Sequence, residues 1–152
     1  MTASQAAGHL TEKIVAALYE GQGCAVRFTI HDHPRPPYDL EVESPHGHRV
    51  TVEVKSWNGD GGACFETDKY GRTPEYIKDC ERVDLMVRYH ESSGVATEID
   101  NKKLVAVLKK HVARFGGDGR MREYPVGTPL EGSLGVVLDV TDKAIGYRRR
   151  LL

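Results

Sequence analysis

The sequence predicts one α/β domain, and three observations lead to this prediction. Apolar residues recur at helical spacing in two stretches, 3–21 and 100–115, and glycines follow each of them. Short segments in which apolar and polar residues alternate, as is typical of strands, lie between and after these helices. The chain has 152 residues, an ordinary length for one domain with its own core, so residues 1–152 are expected to form a single domain.

The first helix is predicted over residues 3–21, and glycines at its end stop it. Glu12 lies on a flank of this helix with small and apolar neighbours, which include Val15, Ala16 and Tyr19. A carboxylate in this position is expected to be partly buried, and a buried carboxylate needs a partner. The alternative is an exposed charge on the helix surface. The helical spacing itself is carried by Ala7, Leu10, Ile14, Ala17 and Leu18.

Residues 38–55 are predicted to form two strands joined by a tight turn. Both halves alternate with a period of two, and a Ser-Pro-His-Gly segment supplies the turn. Because residues i and i+2 share a face, Glu53 and Lys55 stand side by side on the second strand. Strand pairing folds Asp39, at the start of the first strand, back toward them. Two carboxylates and one amine are therefore expected to converge at one edge of a sheet.

This combination of groups suits hydrolysis of a phosphodiester. Mg²⁺ takes oxygen ligands, commonly one or two carboxylates, with water and substrate phosphate completing its shell. The metal neutralises developing charge and acidifies a bound water, and a neighbouring ammonium orients or deprotonates that water. The alternative is a surface hairpin in which Glu53 and Lys55 form an ordinary ion pair.

The remaining elements are predicted from periodicity and from turn residues. Trp57, the single tryptophan, is expected to pack in the core, with the rim of the site or a nucleobase as alternatives. His31 and His33 lie in a Pro-rich loop and are expected to be exposed to solvent instead of binding a metal. Strands are predicted at 24–30, 63–67 (a third strand of the meander), 83–89 (central), 135–140 and 144–152, and helices at 74–82 and 100–115, the latter capped by Asp100 or Asn101.

The composition is that of an ordinary globular protein, with 39% hydrophobic and 28% charged residues. No apolar run is long enough to span a membrane, and the N-terminus lacks the features of a signal peptide. The three cysteines are dispersed without metal-binding spacing, which indicates reduced thiols. A cytoplasmic protein that does not contact membranes is therefore expected.

Charge is divided unevenly along the chain. Residues 1–100 carry 10 Lys/Arg and 17 Asp/Glu, a net charge of −7, whereas residues 101–152 carry 11 Lys/Arg and 5 Asp/Glu, a net charge of +6. The acidic part contains the candidate metal ligands, and the basic part is suited to neutralising the phosphates of a nucleic acid. The alternative is a chance distribution in a small protein.

A helix with an inward Glu, followed by a three-strand meander that carries Asp…Glu-x-Lys, resembles the PD-(D/E)XK nuclease superfamily. The resemblance covers residues 8 to about 90. It implies a restriction-endonuclease-like αβββαβ core, in which helices flank a mixed central sheet. The matching residues are Gly8, Glu12 and Val15 in the helix, Pro37-Tyr38-Asp39-Leu40, and Val52-Glu53-Val54-Lys55-Ser56.

Two groups within the superfamily are similar to parts of this chain. Tyr38-Asp39-Leu40, together with Tyr76 and Arg82-Val83-Asp84, looks like the small homing endonucleases of cyanobacterial group I introns. The Glu-Val-Lys-Ser segment and the early helix Glu look like archaeal Holliday-junction resolvases. The homing group often has Gln where this chain has Glu53, so that match is incomplete.

The resemblance also implies a cofactor and a role for each site residue. The cofactor would be a divalent metal, usually Mg²⁺, for which Mn²⁺ can substitute. Asp39 and Glu53 would bind it with the carbonyl of Val54, and Lys55 would position the attacking water. Glu12 would hold Lys55 or a water on a second metal.

The expected function is that of a small Mg²⁺-dependent DNA endonuclease, a hydrolase that cuts by in-line attack of water. Cutting two strands with one site per chain requires two chains, so a homodimer or a higher symmetric oligomer is expected. The lack of an added recognition domain favours structure-selective cutting, as in a junction resolvase. The alternatives are a sequence-specific homing or restriction-like endonuclease, an RNA-directed nuclease, and a nucleic-acid-binding module without turnover.

Overall fold

The central element of the structure is a six-stranded sheet. The computed structural model describes residues 2–31, 38–69, 73–115 and 133–151. The strands of this sheet lie in the order β1-β2-β3-β5-β6-β8, and β4 pairs with β7 in a separate two-stranded sheet. In chain order, the elements are α1 (Ala3–Gly21), β1 (Ala25–Phe28), β2 (Leu40–Glu43), β3 (Arg49–Trp57), β4 (Ala63–Lys69), α2 (Thr73–Cys80), β5 (Leu85–His90), β6 (Val95–Asp100), α3 (Asn101–Phe115), β7 (Ser133–Leu138) and β8 (Tyr147–Arg150).

The main sheet is mixed because β3 and β5 run parallel while its other neighbouring strands run antiparallel. A parallel pair needs a crossover connection, and here the segment with β4 and α2 supplies it. The α/β fold class expected from the sequence, a mixed sheet with flanking helices, is confirmed.

The prediction that residues 63–67 form a third strand of the meander was wrong in its pairing. The strand exists as β4, but it pairs with β7, with Phe65 opposite Val136. The three-strand antiparallel meander consists instead of β1, β2 and β3. Gly135 permits the close approach of β7, because a Cβ there would lie 2.5 Å from the carbonyl oxygen of Phe65. A strand's own periodicity does not identify such a distant partner.

Strand β6 was not predicted from the sequence. Its four central residues, 96–99, are all buried, so apolar and polar residues do not alternate along it. One of these residues is Glu98, whose charge further weakens the pattern of an inner strand.

The buried face of α1 differs from the stripe that predicted the helix. Leu10, a member of that stripe, is 61% exposed, whereas Val15, Ala16 and Tyr19 are buried. A period of 3.6 residues predicts a helix but leaves several stripes available. The helix packs through the flank that includes Glu12, which therefore turns toward the sheet.

The two faces of β3 contact different cores. Val52 and Val54 belong to a cluster that also contains Val15 and Tyr19 of α1. On the opposite face, Trp57 packs against a second cluster, formed largely by β4, α2 and α3. This double burial holds β3 in place, and β3 carries three of the predicted site residues, Glu53, Val54 and Lys55.

The predicted N-terminal cap of α3 is confirmed. The Asp100 side chain caps α3 by accepting hydrogen bonds from the N–H groups of Lys102 and Lys103. Within the described residues, no helix combines the length and apolar character needed to cross a membrane. The predictions for His33 and for the side chain of His31 lie outside the described residues.

Candidate active site

Asp39 is held against β3 by two hydrogen bonds. Its N–H donates to the carbonyl oxygen of Val52 at 3.0 Å, and its Oδ2 accepts from the N–H of Val54 at 2.8 Å. The antiparallel register, with Leu40 opposite Val52, places the residue before β2 at this point. The Asp39 carboxylate therefore lies beside the peptide group that joins Glu53 to Val54, as the hairpin predicted.

Glu53 and Lys55 are neighbours on one face of β3. The Lys55 Nζ lies 3.6 Å from Glu53 Oε1, and the side chains of Lys55 and Glu53 are 36% and 22% exposed, respectively. This ion pair is partly sheltered from water but still open on one side. An ion or a phosphate group can therefore approach it from solvent.

The electrostatics of the two carboxylates favour a bound cation. Burial raises the pKa of Asp39, and the charge of Glu12 raises it further. The hydrogen bond from the Val54 N–H and the charge of Lys55 act in the opposite direction, but the pKa remains raised. Burial also raises the pKa of Glu53, where Lys55 opposes the effect and the charges of Asp39 and Glu66 add to it. Carboxylates that repel one another in a sheltered site are stabilised by positive charge between them.

Lys55 is an ammonium in this environment. Burial would lower its pKa, but the carboxylates of Glu53, Glu66 and Asp39 together outweigh burial and raise it above the ordinary value. The side chain is thus suited to orienting a water or a phosphate oxygen by donating hydrogen bonds, and poorly suited to removing a proton.

Glu12 approaches the site from α1. Its Oε2 lies 3.5 Å from Nδ1 of His9, one turn earlier in the helix, and its charge acts on Asp39. Among the described ion pairs, Lys55 pairs with Glu53 and Glu12 pairs with His9. The four predicted catalytic residues thus form one electrostatically connected group drawn from a helix, a strand start and a strand.

Two further charged residues in this group were missed by sequence reasoning. Arg88 of β5 stands opposite Lys55 in the parallel register and is only 5% exposed. Its Nη2 donates a hydrogen bond to the carbonyl of Cys64, and its guanidinium lies 4.2 Å from the centroid of the Phe65 ring. Glu66 of β4 contributes a carboxylate whose charge acts on Lys55. A lone Arg in a predicted central strand was a usable signal, whereas nothing in the pattern of β4 singled out Glu66.

The oxygen donors suited to a metal are the carboxylates of Asp39 and Glu53 and the carbonyl of Val54. Within the described residues, no three His, Cys, Asp or Glu side chains form a group that could hold a metal. Mg²⁺ does not require such a group, because it commonly binds one or two carboxylates and keeps water and phosphate as its other ligands. The donor set therefore fits Mg²⁺ and provides no cage for a metal bound by protein alone.

A cavity of about 760 Å³ lies elsewhere, where Arg49, Leu85 and Lys109 are among its lining residues. It includes none of the four predicted catalytic residues. We therefore assign the site by its chemistry and not by cavity size.

The fold is similar to that of an enzyme of known structure. No protein-family model and no curated protein matches the chain. Among solved structures, the chain is similar to a bacterial homing endonuclease, I-Ssp6803I, with 18% sequence identity and a TM-score of 0.55. The match covers 69% of this chain and 74% of the other. At this level of identity the likeness shows a shared fold.

Proposed function

We propose that the protein is a metal-dependent DNA endonuclease, a hydrolase of phosphodiester bonds. The observation that carries this proposal is the hydrogen bond from Val54 N–H to Asp39 Oδ2, because it brings a second carboxylate to the Glu53–Lys55 pair. The fold shared with a homing endonuclease supports the proposal, although a fold alone does not define an activity.

Asp39, Glu53 and the carbonyl of Val54 would hold a divalent metal. Mg²⁺ suits these oxygen donors, and Mn²⁺ has the same preference. When bound, the metal would supply positive charge to the scissile phosphate and acidify a water molecule. Glu12, which acts on Asp39 through its charge, would accept hydrogen bonds from water in the same site.

Lys55 would donate hydrogen bonds to the attacking water or to a phosphate oxygen. Its raised pKa keeps it charged, and Glu53 lies 3.6 Å from its ammonium on a side chain that is 36% exposed. A cation fixed in this way stabilises the negative charge that develops on the phosphoryl group.

The proposed substrate is DNA because cations cover an outer part of the molecule. Lys102, Lys103 and Lys110 are exposed on α3, and the exposed Arg148–Arg150 segment forms most of β8. Clustered cations of this kind bind the phosphates of a nucleic acid independently of its sequence. Glu98 pairs with Arg148 and Arg149, so part of this charge is balanced within the protein.

Two DNA substrates are compatible with this site. The fold shared with a homing endonuclease favours a sequence-specific cut in duplex DNA, and a four-way junction is the structure-selective alternative. Either substrate requires cuts in two strands. One site per chain therefore implies a homodimer or a higher symmetric oligomer.

The test is cleavage of labelled four-way junction, a pool of random linear duplexes, single-stranded DNA and duplex RNA, with Mg²⁺, Mn²⁺ or EDTA. Lys55→Ala is compared with Lys13→Ala, which removes an exposed lysine of α1. We expect metal-dependent cutting of DNA that Lys55→Ala lowers by about 10²- to 10⁴-fold and Lys13→Ala leaves unchanged.

The remaining outcomes separate the rival functions. Cutting of the junction alone identifies a resolvase, and cutting of rare duplexes identifies a sequence-specific enzyme. Preferential cutting of RNA would overturn the choice of DNA. DNA binding that is insensitive to EDTA, with no cutting of any substrate, would replace the enzyme with a binding module.

A further inference from the structure

Trp57 extends the row of site side chains along β3. Residues i, i+2 and i+4 of a strand share a face, so Glu53, Lys55 and Trp57 project to the same side. Successive members of the row are about 6.6 Å apart along the strand, at about 3.3 Å per residue. Trp57 packs against the core on one side but is only partly buried. Its position beside the candidate site therefore calls for a role in addition to packing.

The indole ring of Trp57 contacts the ring of His90, which is held by two hydrogen bonds. His90 stands opposite Trp57 in the β3–β5 register, and the two rings are tilted by 49° with their centroids 4.4 Å apart. Both His90 ring nitrogens are hydrogen-bonded, Nδ1 to Oγ of Ser93 at 2.7 Å and Nε2 to the carbonyl of Gly59 at 2.8 Å. The indole is thus supported by a ring that cannot turn freely.

The loop after β3 is held against the turn after β5. Asn58 Nδ2 donates to Oε2 of Glu91 at 3.3 Å, and the Ser92 hydroxyl donates to Oδ1 of Asn58. Together with the hydrogen bond that the Gly59 carbonyl accepts from His90, these contacts fix the loop at residues 58 and 59. A ligand would therefore meet a surface that is already formed.

This loop and β7 line an open cavity of about 360 Å³ beside Trp57. Its walls are the indole, the Gly61–Gly62 backbone and the segment Val137–Val140. Gly62 is required for the close contact, because a Cβ there would lie 2.4 Å from the carbonyl oxygen of Leu138. We call this cavity the Trp57 pocket. Its volume is within the range of small-molecule binding sites.

The chemistry of the pocket matches a nucleobase better than a phosphate. Trp57 lines the pocket, and aromatic side chains stack on any base. Two carboxylates, Asp60 and Asp139, line the same pocket and would repel phosphate. Hydrogen bonds from the backbone and hydroxyl of Thr141 lower the pKa of Asp139, which keeps it charged. Carboxylates accept hydrogen bonds from the amino groups of cytosine and adenine.

We infer that the Trp57 pocket binds an unpaired cytosine or adenine of the DNA substrate, stacked on Trp57 next to the phosphate that lies at Lys55. Bases inside a duplex cannot reach such a pocket, so the preferred substrate carries an unpaired or extruded nucleotide beside the cut. The inference rests on the proposed function for the nature of the substrate. Binding of the base itself requires no cleavage.

The test uses the fluorescence of Trp57, which is the single tryptophan of the chain. The full chain is titrated in EDTA with single-stranded oligonucleotides of dC, dA or dT and with an abasic strand of equal length and charge. We expect dC and dA to change the emission of Trp57 and the abasic strand to leave it unchanged. In competition with dC, followed by the same emission, the abasic strand should bind about 5- to 150-fold more weakly than dC.

Gly61→Leu adds a bulky side chain at a residue that lines the pocket, and it leaves Trp57 unaltered. A Cβ at Gly61 meets no atom within 4 Å, so the new side chain can be accommodated. We expect this variant to bind dC as weakly as the wild type binds the abasic strand. Gly21→Leu is the matched control, because Gly21 also has open space around its Cβ but lies at the end of α1. It should bind dC like the wild type.

The outcomes separate this inference from the nuclease proposal. Equal binding of dC and abasic strands, with unchanged Trp57 emission, overturns the pocket even if the protein cleaves DNA. A base-dependent change that Gly61→Leu abolishes supports the pocket even if no substrate is cut. Binding of dT as tight as that of dC would remove the role given to the Asp60 and Asp139 carboxylates.

Discussion

The Asp39 carboxylate accepts a hydrogen bond of 2.8 Å from the backbone N–H of Val54. This bond fixes the carboxylate beside Glu53 through a backbone group, which no substitution at position 54 except proline removes. An asparagine at position 39 offers a carbonyl oxygen at the same place. Asp39→Asn therefore removes the charge while the local geometry can be kept.

Asp39→Asn is expected to raise the melting temperature at neutral pH and to abolish metal-dependent cleavage. Burial raises the pKa of Asp39 in the folded protein, so ionisation of this residue opposes folding. This destabilisation is absent below the ordinary carboxylate pKa of 3.8, where Asp39 is protonated in both the folded and the unfolded protein. It is complete above the raised pKa that Asp39 has in the folded protein. The gain in melting temperature should therefore appear as the pH rises through this window. Thermal unfolding of both proteins across the pH range measures it.

Glu41→Gln on β2 is the control, for which we expect the opposite change in melting temperature. Hydrogen bonds from Arg27 and Tyr38 lower the pKa of Glu41, so its charge supports folding above its ordinary pKa. This variant should melt at a lower temperature than the wild type at neutral pH and approach it as the pH falls through the lowered folded pKa. A lower melting temperature for both variants at neutral pH would contradict the assignment for Asp39.

Addition of Mg²⁺ or Mn²⁺ is expected to stabilise the protein through Asp39 and Glu53. A ligand that binds only the folded state adds about 2.7 kcal/mol when its concentration is 100 times its Kd. Asp39→Asn and Glu53→Gln should each lose this increment, whereas Glu43→Gln, on the same hairpin, should keep it. Melting curves with and without metal measure the increment. An equal increment in all four proteins would place the metal elsewhere.

In the pH profile of the cleavage rate, the acidic limb is expected at a pH above the ordinary pKa range of carboxylates. Asp39 and Glu53 must be ionised to hold the metal, and burial raises the pKa of each. The value of kcat/KM should therefore rise with pH through the raised pKa values. Glu66→Gln removes a charge that raises the pKa of Glu53, so it should move this limb to lower pH. A limb that stays in place would show that Glu53 does not control it.

The part of the site that the sequence predicted is local in the chain. Asp39, Glu53 and Lys55 belong to one hairpin, whose turn and alternation fix their relative positions. The C-terminal end of α1 was also predictable, because glycines stop the helix. These features depend on neighbours within a few residues, which a single sequence contains.

The parts that were missed depend on distant pairing. Arg88 lies at the site because β5 pairs in parallel with β3. Glu66 lies there because β4 pairs with β7 and is not part of the main sheet. The buried face of α1 is likewise selected by the strands beneath it, which favour Tyr19 over the exposed Leu10. No local pattern encodes these choices, because the free energy of tertiary packing decides them.

Tyr19→Phe is expected to destabilise the protein by about 1–3 kcal/mol, because it leaves a buried carboxylate without its donor. The Tyr19 hydroxyl donates to Oε2 of Glu98 at 2.7 Å, and Glu98 is only 3% exposed. Burial and the Glu98 charge raise the pKa of Tyr19, so the hydroxyl remains a donor at physiological pH. Arg148 and Arg149 stay 3.6 and 3.5 Å from Oε1, which does not replace the lost bond on Oε2.

Tyr38→Phe is the matched control, because the Tyr38 hydroxyl also donates to a carboxylate at 2.7 Å. Its acceptor is Oε1 of Glu41, which is only partly buried, so water can replace the missing donor there. We expect a change within about 0.5 kcal/mol for this variant. The free energy of unfolding in urea, measured at an unchanged slope, compares the two. Equal losses would mean that burial of Glu98 does not set the strength of the Tyr19 bond.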